Sequence, residues 1–144
     1  PFLQRGVLRN MIHMGDSMLK RNNPVAHIRY TNERVIMGLA CLMELDNCGL
    51  ETENLDSLEH LGWADYKIAP LGGSIVMIHY RKDKDDPNIL VKVLLNGREA
   101  RLPIKTDCAP YYRWNDIKRY YLRKLYRYEN ERFNETNKKK SNNE

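Results

Sequence analysis

Helical and strand-type patterns alternate along this chain, and that alternation predicts an α/β fold. Three observations carry the expectation. An alternating apolar stretch at 25–30 runs into an amphipathic pattern at 33–45 through two helix-capping residue types, Thr31 and Asn32. Two runs rich in β-formers, 74–80 and 89–95, flank the turn-type segment 83–88. Amphipathic stripes also open the chain at 2–20 and recur near its end, from residue 114.

Each element has its own justification. In 2–20 the residues Leu3, Val7, Met11, Met14 and Met18 recur at helical spacing and predict one core-facing stripe. Gly15 costs that helix up to ~1 kcal/mol, which burial must offset. Arg21, Asn22, Asn23 and Pro24 end it, because Pro disfavours a helical residue before it. Val35, Ile36, Leu39, Leu42 and Met43 form the face of the next helix. Residues 47–63 read as a polar connector with one short helical turn around scattered leucines. The β-rich runs pair most simply as an antiparallel hairpin. Asn96-Gly97 then marks a second tight turn, with a short strand returning over 98–102. The last helix places Trp114, Ile117, Tyr121, Leu125 and Tyr128 on one stripe.

Composition narrows the class. Apolar residues make up 42% and charged residues 30% of 144, the balance of a folded globular domain. No apolar run approaches the ~20 residues of a membrane-spanning helix, so no membrane partner is expected. Pro1 in place of an initiator Met suggests a piece of a longer chain. Cys41, Cys48 and Cys108 have no zinc-type spacing; Cys41 reads as a small buried thiol. A Cys48–Cys108 disulfide is compatible with the sequence, although the odd count argues against a dedicated framework. Residues 113–140 carry ten Lys/Arg against four Asp/Glu, which makes the C-terminus basic and leaves the remainder nearly neutral. Two units are expected: a domain over 1–130 and a basic, disordered tail over 131–144.

The chemistry-bearing candidates cluster at the junction of 25–30 with its helix. A strand feeding a helix N-terminus aims free N–H groups and the positive dipole end at one point, where an oxyanion can sit. Arg29 offers a fork-shaped cation, Asn32 a capping side chain with an amide donor, and Glu33 a carboxyl favoured in the first turn. The four histidines, at 13, 27, 60 and 79, form no pair at ligand spacing, so no metal site and no cofactor are expected.

Ile28-Arg29-Tyr30 and the helix after it resemble the second catalytic motif of the histidine acid phosphatases, in their multiple inositol polyphosphate phosphatase (phytase-like) branch. Members carry a Leu-Arg-Phe type strand, a pair or triplet beginning with His, and then a helix. The resemblance continues through D-Y-K-I-A-P-L-G-G-S-I-V-M-I-H-Y-R-K (65–82), V-K-V-L-L-N-G-R-E-A-R-L-P-I (91–104) and D-C-A-P-Y-Y-R-W-N-D-I-K-R-Y-Y (107–121). It covers roughly residues 3 to 125 and corresponds to the C-terminal third of such an enzyme.

The resemblance implies the C-terminal portion of a histidine-phosphatase (phosphoglycerate-mutase-like) domain, a mixed sheet with flanking helices. In that arrangement 25–30 is an inner parallel strand with Ile28 buried, and helices 2–20, 33–45 and 114–128 pack on the sheet. It further implies phosphomonoester hydrolysis, with inositol polyphosphates such as phytate as substrates. A secreted, periplasmic or secretory-pathway location and the missing N-terminal part of the domain as partner follow from it as well. The family's Arg-His-Gly nucleophile motif does not occur in this chain. Where the family has His-Ala-Glu or His-Asp, the chain reads Asn32-Glu33-Arg34. Glu33 overlies the Asp of the His-Asp form and is the candidate proton donor. In the His-Ala-Glu register the donor position falls on Arg34, which cannot release a proton near neutral pH. Arg29 and Asn32 are the candidate phosphate contacts. The expectation is a phosphatase-like segment that is inactive alone. The alternatives are a non-catalytic anion-binding or structural module, and a nucleic-acid binder using the basic last helix; nucleic acid is the less expected partner.

Overall fold

The Asn96-Gly97 turn organises the sheet in the computed structural model, which describes residues 2–21, 23–49 and 65–141. β1 (Ile75–Tyr80) and β2 (Leu90–Leu95) form the expected antiparallel hairpin, with Ile75 opposite Leu95 and Tyr80 opposite Leu90. Asn96 and Gly97 both take positive φ, 53° and 77°. That is the requirement of the tight turn whose twist matches the strands it joins. The chain returns as β3 (Arg98–Glu99), shorter than the strand expected over 98–102. β4 (Tyr112–Arg113) pairs with the start of β2, at Leu90 and Val91. The Asn96 side chain ties this corner together. Its Oδ1 accepts from Ser74 N at 2.9 Å, and its Nδ2 donates to the carbonyls of Lys67 and Ile68 at 3.1 and 3.0 Å. Those carbonyls belong to α3, the single turn Asp65–Ile68.

Val91, Val93 and Leu95 alternate along β2 and are buried, so one face of the sheet meets the helices. Onto that core come α1 (Arg5–Leu19), α2 (Glu33–Met43) and α4 (Trp114–Ser141). The α4 stripe is as expected: Trp114, Ile117, Tyr121 and Leu125 are buried, and Tyr128 stacks on Phe2. α2 ends at Met43 rather than 45, because Glu44 turns left-handed at φ 55°. α4 caps that end, with Tyr121 Oη donating to the Met43 carbonyl at 2.8 Å and Lys124 Nζ to that of Leu42 at 2.9 Å. These satisfy two of the carbonyls a helix leaves unpaired at its C-terminus.

Four expectations are corrected. The fully buried residues of α1 are Leu8, Ile12 and Gly15; of the expected stripe, Val7 and Met11 are half-buried against the core and Leu3 is 87% exposed. The reason is Gly15: a Cβ there would lie 2.8 Å from Trp114 Cζ2, so the bare backbone is what lets the indole approach. Residues 25–30 form no strand, and Ile28 is 71% exposed rather than buried. No described segment pairs with them, and an unpaired strand has neither ladder bonds nor a face to bury. The sheet of the described residues is antiparallel, and 25–30 is not part of it. α4 continues through Ser141, past the expected end at 128 and across most of the segment expected to be disordered from 131. Its later residues are polar but contain neither Gly nor Pro, and Glu, Arg and Lys favour helix. The three cysteines are free thiols, so Cys48 and Cys108 are not bridged, and Cys41 is half-buried. Of the connector expected over 47–63 with its helical turn, residues 50–63 lie outside the described residues.

Candidate functional site

After α1 the chain is anchored before it leaves regular structure. Arg81, just beyond β1, donates to the carbonyls of Leu19 and Arg21, both at 2.6 Å, and so fixes the point of departure. From Pro24 to Thr31 the chain has no regular secondary structure and is exposed, with Tyr30 94% accessible. It enters α2 through Asn32, whose φ and ψ of −93° and 168° are still those of a strand. Asn32 Oδ1 accepts from Val35 N at 3.2 Å, the side-chain bond of a helix N-cap. The N–H groups of Glu33 and Arg34 stay unpaired among the described residues. They and the helix dipole create a positive electrostatic end at this junction.

The three residues singled out by sequence separate into two groups. Asn32 and Glu33 stand together at the α2 N-terminus, and Glu33 is exposed with no hydrogen bond or ion pair to a described residue. Arg29 is exposed too, but its guanidinium donates to Asn10 Oδ1 on α1. The junction therefore keeps its capping residue and its carboxylate, while its cation is tethered to the neighbouring helix. An anion arriving there meets two backbone donors at once, and Arg29 joins them only by leaving Asn10.

Sequence reasoning missed a polar cluster beneath Gly15. Asp16 accepts from Trp114 Nε1 at 2.7 Å and from Lys118 Nζ at 2.9 Å. Burial raises the Asp16 carboxyl, but the bonds from Lys118 and Trp114 outweigh it and hold the group below the usual carboxylate range. His79 packs edge-on against Trp114, with ring centroids 4.5 Å apart, and its buried Nε2 has no hydrogen-bond partner among the described residues. Burial pushes the imidazole below 6.5, although Asp16 pulls the other way. Trp114 and the Gly15 backbone lie against His79, and the Asp16 charge acts on it. None of them is the arginine that a phosphohistidine centre uses to neutralise a transferring phosphoryl group. His13 and His27 are exposed. Among the described residues no three His, Cys, Asp or Glu side chains come together in a metal-holding group.

No protein-family model matches the chain, and no curated protein matches it.

Proposed function

We propose that this chain is the C-terminal segment of a histidine-acid-phosphatase-like domain of the inositol polyphosphate phosphatase type, which binds phosphate esters at the Asn32 junction and does not hydrolyse them alone. The observation that carries this reading is the bare arm of residues 24–31, strand-like in sequence, unpaired among the described residues and exposed, feeding a helix capped by Asn32. Such an arm fits a strand whose neighbours lie outside these 144 residues. The quoted sequence likenesses at 65–82, 91–104 and 107–121 support the same assignment. With no Arg-His-Gly in the chain and His79 enclosed by Trp114 and Gly15, attack on phosphorus needs a nucleophile from elsewhere. Asn32 and the free N–H groups of the first turn hold a phosphate oxygen, Arg29 adds a fork once released from Asn10, and Glu33 is the carboxyl available to protonate a leaving alcohol.

Two measurements test the reading. The purified chain should release no phosphate from phytate or p-nitrophenyl phosphate above buffer. Calorimetric titration with inositol hexakisphosphate in low salt should show binding that weakens in Arg29→Ala and tightens in Glu33→Gln. An exposed carboxylate ~4 Å from a phosphate charge costs ~1 kcal/mol in water, about fivefold in affinity. Equal affinities in the three proteins, or phosphate release abolished by replacing one histidine, would refute the proposal.

A further inference from the structure

At the far end of α2 from Asn32, between the helix end at Glu44 and the flank of α4, lies a groove of about 600 Å³. Its floor is apolar and aromatic, made by Phe2, Ile104, Tyr120 and Tyr128, with Phe2 stacked on Tyr128 at 3.9 Å between ring centroids. Its α4 wall carries four cations: Arg119, Arg123, Lys124 and Arg127. Two of them are already matched. Arg119 faces Asp116 at 3.5 Å, and Lys124 pairs with Glu44.

Arg123 and Arg127 are different. Both are exposed, and neither has a hydrogen bond or ion pair to a described residue. Four residues apart, they stand one turn from each other on a single face, ~6 Å along the axis. Like charges at that spacing repel, and nothing described lies between them to relieve it. Each guanidinium keeps its planar fork of N–H donors free, the shape that grips a phosphate through two parallel bonds. The aromatic floor displaces water on one side, so a charge held there is screened less than on an open helix.

We propose that Arg123 and Arg127 form an anion site for a small linear polyphosphate group, with one phosphate on each guanidinium. Size follows from the charges around the pair. Asp116 lines the groove toward the start of α4 and Glu131 toward its end, so the uncompensated positive charge extends for one helical turn only. A short polyphosphate fits that length. A nucleic-acid strand would have to run past one carboxylate or the other. The site is separate from the Asn32 junction and does not depend on how that junction is read.

The experiment is calorimetric titration of the full chain with tripolyphosphate at about 20 mM salt, where surface charges are weakly screened. Orthophosphate and a single-stranded oligonucleotide serve as competitors. The double variant Arg123→Gln/Arg127→Gln should lose more than about tenfold in tripolyphosphate affinity. Lys84→Gln/Arg98→Gln, which removes the same charge from exposed positions away from the groove, should change it less than about twofold. Arg29→Ala should leave tripolyphosphate binding intact, which separates this site from the junction. Circular dichroism checks that the variants remain folded. Equal losses in the two double variants would mean diffuse attraction and overturn the proposal, as would absence of binding to the unaltered chain. An oligonucleotide that binds more tightly than tripolyphosphate through the same arginines would also overturn it, in favour of nucleic acid.

Discussion

Gly15→Ala sets two effects of opposite sign against each other. Helix propensity alone favours alanine by ~0.8–1 kcal/mol at an interior position. The added Cβ, however, would sit 2.8 and 3.0 Å from Trp114 Cζ2 and Cη2 and 3.1 Å from His79 Nε2. Carbon atoms rest about 3.5–4.0 Å apart, so the indole would have to retreat by ~0.5–1 Å. It has little freedom to do so: Trp114 is 2% exposed and its Nε1 is held by Asp16 at 2.7 Å. Overpacking of this kind costs ~1–3 kcal/mol. Loosening the bond to Asp16 adds to that. Because the Asp16 side chain is 41% exposed, we take only ~1 kcal/mol for it, below the usual value for a charged partner. The costs exceed the propensity gain, and the variant should be destabilised by ~1–3 kcal/mol. Gly6→Ala is the internal control. It lies on the same helix with nothing within 4 Å of the place its new methyl would take, and should stabilise by up to ~1 kcal/mol. Urea unfolding followed by circular dichroism gives both midpoints. If the two substitutions move the midpoint in the same direction, the close approach of Trp114 to α1 is not what fixes that helix face.

Two further outcomes follow from other contacts. Asn96→Gly keeps the positive φ of 53° but removes the three side-chain bonds, and should cost ~1–3 kcal/mol; Asn96→Ala should cost ~1 kcal/mol more, because alanine resists the left-handed region. Indistinguishable unfolding midpoints for the two variants would contradict the turn geometry. The pH dependence should carry the mark of His79. Its folded value lies below 6.5, so on acidification the unfolded chain binds the proton first: stability is full above pH 6.5 and is lost as pH falls toward the lowered folded value. Asp16, held below 3.8 by its bonds from Lys118 and Trp114, gives up its contribution only beneath pH 3.8, a separate window. His79→Phe removes this Nε2 and keeps a ring against Trp114, and should flatten the melting temperature as pH falls below about 6.5. Parallel melting curves for the two proteins across that range would sink this assignment.

Local signals read well from the sequence and long-range ones did not. The hairpin, the Asn96-Gly97 turn, the Asn32 cap and the α4 stripe each depend on residues close together in the chain, where spacing and turn chemistry suffice. α1 was harder, because Val7 and Leu8, and likewise Met11 and Ile12, are adjacent apolar residues, and either set satisfies a helical period. The deciding residue, Gly15, has no side chain and adds nothing to a hydrophobic pattern. Residues 25–30 have the composition of a strand, but pairing is a property of a neighbour, and no described segment supplies one. At the candidate site, Asn32 and Glu33 stand where capping rules place them. The bond from Arg29 to Asn10 joins residues nineteen apart on different elements, and no local rule reports it. The Asp16–Trp114–Lys118 cluster escaped for the same reason, since its bonds span about a hundred residues.

The length of α4 has a consequence for how the molecule opens. Twenty-eight residues make a rod of ~42 Å, yet its last fully buried side chain is Leu125 and its last tie to another helix is the 2.9 Å pair between Glu129 and Arg9. Beyond that pair the described side chains are exposed, and an unsupported helical stretch of this length is marginal in water. One unbroken helix therefore contains two kinetic classes of backbone amide. Those around Tyr121 exchange their hydrogens only when the whole core comes apart, whereas those past Asn130 exchange by fraying, at almost no free-energy cost.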